Sequence, residues 1–188
     1  GVMAQFIRPD GTLASTSTAV VGAASNHAAV NETSPSSSEF VYSSGAGSTR
    51  LSFGSPGGTP ASGTCTLRAY GIRLDGTSAS STGGGSPTLT FTLYENGSAV
   101  DGGSVTSTIT MGTGTTLFTG SSASVSFIST LVTNRANVEG LLRFADLGGG
   151  LNNRQVGCYW VELESPDVAG VPGSADGETT SATGTRSP

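Results

Sequence analysis

Few residues of this sequence could take part in catalysis, and their spacing does not assemble a familiar active site. The single histidine, His27, lies in a loop-like Ser-Asn-His segment, so a serine or cysteine triad would have only one possible base. We expect His27 to be exposed or to cap a turn. Together with Cys65 and Cys158 it does not have zinc-site spacing. The sequence therefore predicts no catalytic, metal or cofactor-binding residues.

Glu162 and Glu164 are the carboxylates whose spacing comes closest to that of an acid/base pair. They lie two residues apart on a predicted strand and so share one face, which we expect to be the outer, solvated one. Two carboxylates can hydrolyse a glycosidic bond, and a weak calcium site could use Asp75, Glu162 or Asp167. Acidic residues on one solvated face are usually only solvated, so we predict that the protein is not an enzyme.

Trp160 is the candidate for contact with a partner or a sugar. Strict alternation along residues 156–163 puts Tyr159 and Trp160 on opposite faces, so a core Tyr159 would leave Trp160 on the outer surface. The alternative, in which a loop of the chain itself covers Trp160, stays open. A carbohydrate platform needs several aromatic rings, and Tyr94 and Tyr70 could supply them. Trp160 and Tyr94 are the predicted binding residues.

Composition and charge exclude several classes of function. The 188 residues suffice for one domain with a real core, and the formal net charge is −5. All eight basic residues are arginines, scattered singly, which excludes the clustered positive charge that nucleic-acid binding requires. No apolar run approaches the roughly 18 residues of a membrane span. The N-terminus lacks the pattern of a secretory signal, so we expect synthesis in the cytoplasm and favour free thiols over a disulfide.

Short alternating segments predict an all-β fold. Helix signals are nearly absent apart from one turn near residues 130–134, and Asn96-Gly97 predicts a hairpin turn. We predict a jelly-roll-like antiparallel β-sandwich with an extended N-terminal arm (1–30), a sandwich domain (31–166) and a flexible tail rich in Gly, Ser, Thr and Pro (167–188). The predicted strands are 39–43, 49–53, 64–74, 88–94, 105–111, 115–119, 122–128, 141–144 and 156–163.

The order of several short motifs resembles a family of small β-sandwich virion proteins of tailed bacteriophages. The motifs are Arg8-Pro9, Asn31-Glu32-Thr33-Ser34-Pro35, Glu39-Phe40-Val41, Leu51-Ser52-Phe53-Gly54, Arg73-Leu74-Asp75-Gly76, the hairpin from Leu89 to Gly97 and the closing strand from Tyr159 to Pro166. The resemblance spans roughly residues 6–166. It implies a jelly-roll-like sandwich with a structural place on the particle, of the capsid cement, decoration or neck and tail accessory type, and it transfers no catalytic residues.

The first hypothesis is therefore a capsid cement or decoration protein that stabilises contacts between capsomers. Its partners would be the major capsid protein and neighbouring copies of itself in a homo-oligomer such as a trimer, and it would be located in the virion. The alternative is a carbohydrate-binding or host-adhesion module on a phage fibre, which would need an exposed aromatic platform. A further alternative is an extracellular fibre subunit.

Overall fold

The structure is a computed structural model that describes residues 4–32, 35–36, 38–53, 63–75, 87–111, 120–133, 137–145 and 154–166. The predicted strand at 115–119 and the predicted tail at 167–188 lie outside these residues. The same holds for Asp167, one of the three acidic residues considered for calcium.

Within the described residues the chain forms ten strands and two single turns of 3₁₀ helix, Val100–Gly103 and Ser129–Leu131. All strand pairs are antiparallel. The prediction of an all-β antiparallel sandwich is confirmed. The strands are β1 (Ala4–Ile7), β2 (Pro9–Val21), β3 (Phe40–Phe53), β4 (Thr64–Asp75), β5 (Thr88–Glu95), β6 (Ser98–Ala99), β7 (Thr106–Thr110), β8 (Gly120–Ile128), β9 (Val138–Ala145) and β10 (Arg154–Pro166).

One strand, β3, joins the two layers of the sandwich. The sheet runs β6-β5-β9-β3-β10-β4-β8, with β1 beside β10, β2 beside β3 and β7 beside β5. The first part of β3 pairs with β10 at Val41 and Tyr42, whereas its second part pairs with β9 from Gly47 to Ser52. The continuous sheet therefore curls at β3, and its two halves face each other across the core.

The core fills the space between the halves with one side of each strand. On β5 the residues Leu89, Phe91 and Leu93 are almost fully buried, and the threonines between them point to the other side. The other strands supply further apolar residues to the same cluster. Such alternation is typical of a sheet with one face on the core and the other toward water.

The N-terminal segment contributes two strands that the alternation of apolar residues does not predict. β1 pairs with β10, and β2 pairs along most of β3. After β2 the chain turns back, and the Val30 carbonyl accepts a hydrogen bond from the Val161 amide at 2.9 Å. Asn26 holds this return segment, because its Nδ2 lies 2.8–3.0 Å from the hydroxyls of Ser15, Thr18 and Thr49. In its described part, the segment predicted as an arm thus supplies two strands to the sheet and a return segment that is hydrogen-bonded to it.

The Asn96-Gly97 turn connects β5 and β6, as predicted. Asn96 has φ 48° and Gly97 has φ 83°, which is the left-handed pair that a two-residue hairpin of this type requires. The predicted helical turn near residue 130 is the 3₁₀ turn Ser129–Leu131.

Candidate functional site

The outer face of one layer consists of β10, β4 and β8, side by side. Along β4, alternate residues from Cys65 to Gly71 enter the core, so that Thr66, Arg68 and Tyr70 point outward. The register aligns these residues with Glu164, Glu162 and Trp160 of β10, respectively. On the other side of β4 they align with Ser126, Ser124 and Ser122 of β8, all of which are exposed.

Six side chains on this face form one connected group, and we call it the outer-face cluster. Its members are Arg8, Arg68, Tyr70, Trp160, Glu162 and Glu164. Five of them come from β4 and β10, and Arg8 directly follows β1, whose last residue lies opposite Leu163. Arg8 thereby reaches the next outward position of β10, which is Glu162.

The prediction that Trp160 is exposed on the outer face, with Tyr159 on the opposite face, is wrong, because β10 does not alternate strictly and the chain itself covers the Trp160 ring. The pairing with β4 shifts between Cys158 and Trp160, which is a β-bulge that skips Tyr159. Tyr159 and Trp160 therefore pack in the same aromatic cluster, and Trp160 is only 2% exposed. Its Nε1 donates a 2.7 Å hydrogen bond to the Glu32 carbonyl. The alternative interpretation, that the chain itself covers Trp160, is confirmed.

Tyr70 is the ring of this cluster that remains partly exposed. Its centroid lies 5.2 Å from that of Trp160 and 5.5 Å from that of Tyr159, and both contacts are edge-on. Edge-to-face packing of this kind is favourable beyond the area that it buries. The two buried rings hold Tyr70 in a fixed orientation at the surface.

The prediction that Glu162 lies on a solvated face is also wrong, although both carboxylates do share the outer side. Arg8 Nη2 donates to Glu162 Oε2 at 2.9 Å, and both side chains are fully buried. Arg68 Nη1 contacts both carboxylates, at 2.8 Å from Glu164 Oε1 and 3.5 Å from Glu162 Oε1. Glu162 is buried because Arg8 covers it. Arg8 follows β1, the strand beside β10 that the sequence did not predict.

The arginine of this buried pair also contacts Trp160. The Arg8 guanidinium carbon lies 5.8 Å from the centre of the indole ring, within the range of a cation–π interaction. Removing charges from water costs several kcal/mol per ion, roughly, and only good geometry recovers it. A buried ion pair on the outer side of a sheet is therefore a costly feature, and it fixes the position of Arg68 and Glu164 beside it.

Burial changes the acidity of three groups beside the cluster. It raises the pKa of Tyr159 to about 12, with the neighbouring Tyr70 and Cys158 adding to the effect. It also raises the pKa of the Cys158 thiol to about 12. The pKa of Glu32 is raised by burial first, and then by the hydrogen bond to Glu39 and its charge. Both cysteines are buried free thiols, as favoured by the sequence.

Tyr94 lies on the opposite outer face of the sandwich, so the structure does not bring it together with Trp160. It is half-buried and pairs in register with Glu139 of β9. Glu139 Oε1 lies 3.0 Å from Arg50 Nε and accepts a 3.2 Å hydrogen bond from the Gly97 amide. Among the described rings, none packs against Tyr94. We call Arg50, Tyr94 and Glu139 the second face.

The single histidine has a local role. His27 Nδ1 lies 3.0 Å from the Thr12 hydroxyl and 3.1 Å from the Ser25 hydroxyl, and the His27 amide donates to Thr12 as well. These contacts tie the segment after β2 to β2 itself. Within the described ranges, no three His, Cys, Asp or Glu residues come together as a metal site would require. No helix in that part of the chain could span a membrane.

Sequence reasoning missed Arg8 and Arg68. The sequence pattern could have indicated Arg68, because alternation on its predicted strand puts Arg68 on the same face as Thr66 and Tyr70. The Glu-Leu-Glu of β10 offers charges opposite to that of Arg68. Pairing those two strands would have suggested the contact. Arg8 had no such signal, since β1 is a strand of four residues.

Comparison with known proteins yields only distant similarity of fold. No protein-family model and no curated protein sequence matches the chain. The resemblance to phage capsid proteins therefore has no support from a sequence family, whereas the sandwich that it implied is present.

Three of the similar solved structures illustrate the different kinds of protein that share this distant likeness. Isomalto-dextranase from Arthrobacter globiformis T6, complexed with panose, is 14% identical with a TM-score of 0.45, and the match covers 84% of this chain but 22% of that one. The module TmCBM61 in complex with β-1,4-galactotriose is 10% identical with a TM-score of 0.40, covering 84% and 86%. The enzymatically active domain of bacteriophage CBA120 tailspike protein 4 is 9% identical with a TM-score of 0.39, covering 86% and 19%. Likeness at this level carries no argument about function.

Proposed function

We propose that this chain is a non-catalytic carbohydrate-binding module that holds its ligand on the outer-face cluster. The observation that carries the proposal is that Tyr70 lies on the same outer face as the ion pair of Arg68 and Glu164, one outward position along β4 from Arg68. Tyr70 is partly exposed and fixed by two buried rings, and the side chains of Arg68 and Glu164 are 24% and 25% exposed. An aromatic ring can pack against the C–H face of a sugar, while a guanidinium donates to its hydroxyls and a carboxylate accepts from them.

Rigidity is the second argument for this face. A fixed ring and ion-paired polar groups lose little conformational entropy when a ligand binds, which favours affinity. The exposed hydroxyls of Ser122 and Ser124 continue the polar surface next to Tyr70 and Arg68. The second face offers a tyrosine and an ion pair too, but no ring in the described part of the chain supports Tyr94.

A catalytic role for the carboxylate pair does not fit this geometry. Glycosidases place two carboxyl groups on either side of the scissile bond. Here Glu162 is fully buried and both carboxylates contact the same guanidinium of Arg68. Glu162 therefore cannot reach a substrate without breaking its ion pair with Arg8.

A glycan array followed by titration calorimetry tests the proposal. We expect Tyr70→Leu to weaken binding about tenfold or more, because about 1.4 kcal/mol of ring contact is lost. The matched control is Tyr94→Leu on the second face, which should bind like the parent protein. Ser122→Arg places bulk beside Tyr70 at an exposed position and should also block binding without disturbing the fold. Undiminished binding by both Tyr70→Leu and Ser122→Arg would overturn the proposal.

The proposal extends to the location of the module on a phage particle as an adhesion element, and the order of motifs in the sequence is its support. A capsid cement protein would instead bind the assembled capsid lattice. Co-sedimentation with assembled capsids and with free capsid subunits separates the two roles. Binding to the lattice with no signal on the glycan array would replace the adhesion role with the cement role.

A further inference from the structure

The outer-face cluster carries no net charge. Two arginines, Arg8 and Arg68, face two glutamates, Glu162 and Glu164, and their side chains are linked through contacts of 2.8 to 3.5 Å. An arginine that stands alone attracts carboxylates strongly, because its planar donors match both oxygens of a carboxylate. Arg68 does not stand alone, since it already lies against two carboxylates.

Arg68 still has donors to offer. A guanidinium carries five N–H donors on three nitrogens, and both contacts of Arg68 with the glutamates use Nη1. Among the described residues, its Nη2 and Nε donate to no other group, and about a quarter of the side chain is exposed. These donors can bind a hydroxyl or ring oxygen, which needs a hydrogen bond but no countercharge.

We infer that the outer-face cluster selects uncharged sugars over sugars that carry a carboxylate. This inference rests on the proposed function and adds the chemical class of the ligand. A uronic acid bound beside Arg68 would bring a third carboxylate next to Glu162 and Glu164, and like charges brought together in a binding site cost affinity. A neutral sugar meets the same donors without that repulsion.

Matched pairs of oligosaccharides test the inference, each pair consisting of a neutral compound and its C6-oxidised uronate counterpart. We expect the parent protein to bind the neutral member at least about tenfold more tightly. Glu164→Gln leaves a similar side chain but gives the cluster one net positive charge. That variant should lose most of the preference or reverse it, and the shift should shrink at high salt.

The control is Glu139→Gln on the second face, which removes a glutamate next to an arginine away from the cluster and should leave the preference unchanged. If the parent protein binds the uronate as tightly as the neutral sugar, and Tyr70→Leu removes both, the inference fails while the proposed function stands. A neutral preference that is unaltered in Glu164→Gln would also overturn the inference. If no oligosaccharide of either kind binds, both the proposed function and the inference fail.

Discussion

The two outer faces of the sandwich combine the same residue types, a tyrosine, arginine and glutamate, but hold them in different surroundings. On the face that carries the outer-face cluster, the pair of Arg8 and Glu162 is fully buried, and the partly exposed Tyr70 packs against two rings. On the second face, the Arg50 side chain forms an ion pair with Glu139 and is 30% exposed. The difference shows that residue type alone does not make a site, because the supporting residues decide how rigid it is.

The bulge in β10 is the origin of this difference. It turns Tyr159 to the same side as Trp160, so that β10 supplies two buried rings to one face. The pairing of β5 with β9 shows no such shift, and Tyr94 lies opposite Glu139 with none of the described rings packed against it. An irregularity of one residue thus concentrates aromatic area on one face.

The largest expected effect comes from breaking the buried ion pair. Arg8→Met should lower the free energy of unfolding by about 3–5 kcal/mol, because it leaves the Glu162 charge buried. Arg50→Met on the second face should cost about 1 kcal/mol or less, since that pair is partly exposed and Glu139 keeps its bond from Gly97. Unfolding in denaturant measures both values.

A double variant sharpens the result. Replacing both Arg8 and Glu162 by Met removes the two buried charges together and should recover part of the loss, because an apolar pair needs no compensation. Equal losses for Arg8→Met and Arg50→Met would show that burial of the first pair has no energetic consequence.

A smaller effect is expected at the point where β3 links the two layers. A Cβ on Gly47 would lie 2.7 Å from the Ser17 carbonyl oxygen and 2.8 Å from that of Thr16, so β2 would have to move. Gly47→Ala should therefore cost about 1–3 kcal/mol, as overpacking usually does. Gly71→Ala is the matched control in β4, because its nearest neighbour would be the Met111 sulfur at 3.3 Å, in a side chain that can adapt. A thermal melt compares the two, and an equal or larger loss in Gly71→Ala would contradict the prediction.

The sequence predicts those strands that show their own alternation. The threonines and apolar residues of β5 are an example, because each local residue choice agrees with the final structure. β2 escaped prediction because PDGTLASTSTAVV has few apolar residues, and pairing with β3 stabilises it rather than its own pattern. The alternation of β10 predicted that both carboxylates share the outer side, but the burial of Glu162 depends on Arg8, which is 154 residues away from it in sequence. Contacts of such range leave no local pattern.

The smallest expected effect concerns Glu32, in the segment that covers Trp160 of the outer-face cluster. The Glu32 carbonyl accepts the Trp160 hydrogen bond, while burial and the nearby Glu39 carboxyl raise the pKa of the Glu32 side chain above its ordinary 4.5. A raised pKa means that the folded protein holds the proton more tightly than the unfolded chain, so this contribution is fully present below pH 4.5 and is lost as the pH rises through the raised value.

Glu32→Gln imitates the protonated form and leaves the carbonyl in place. It should raise the melting temperature at pH 7, and its advantage over the parent protein should disappear as the pH falls below 4.5. Glu95→Gln is the control, because the Glu95 carboxylate accepts hydrogen bonds from the amide and the hydroxyl of Thr133, and this variant should lower the melting temperature at pH 7. If Glu32→Gln is no more stable than the parent at pH 7, repulsion between Glu32 and Glu39 does not destabilise the segment that covers Trp160. The outer-face cluster then differs from the second face only by its buried ion pair and its two buried rings.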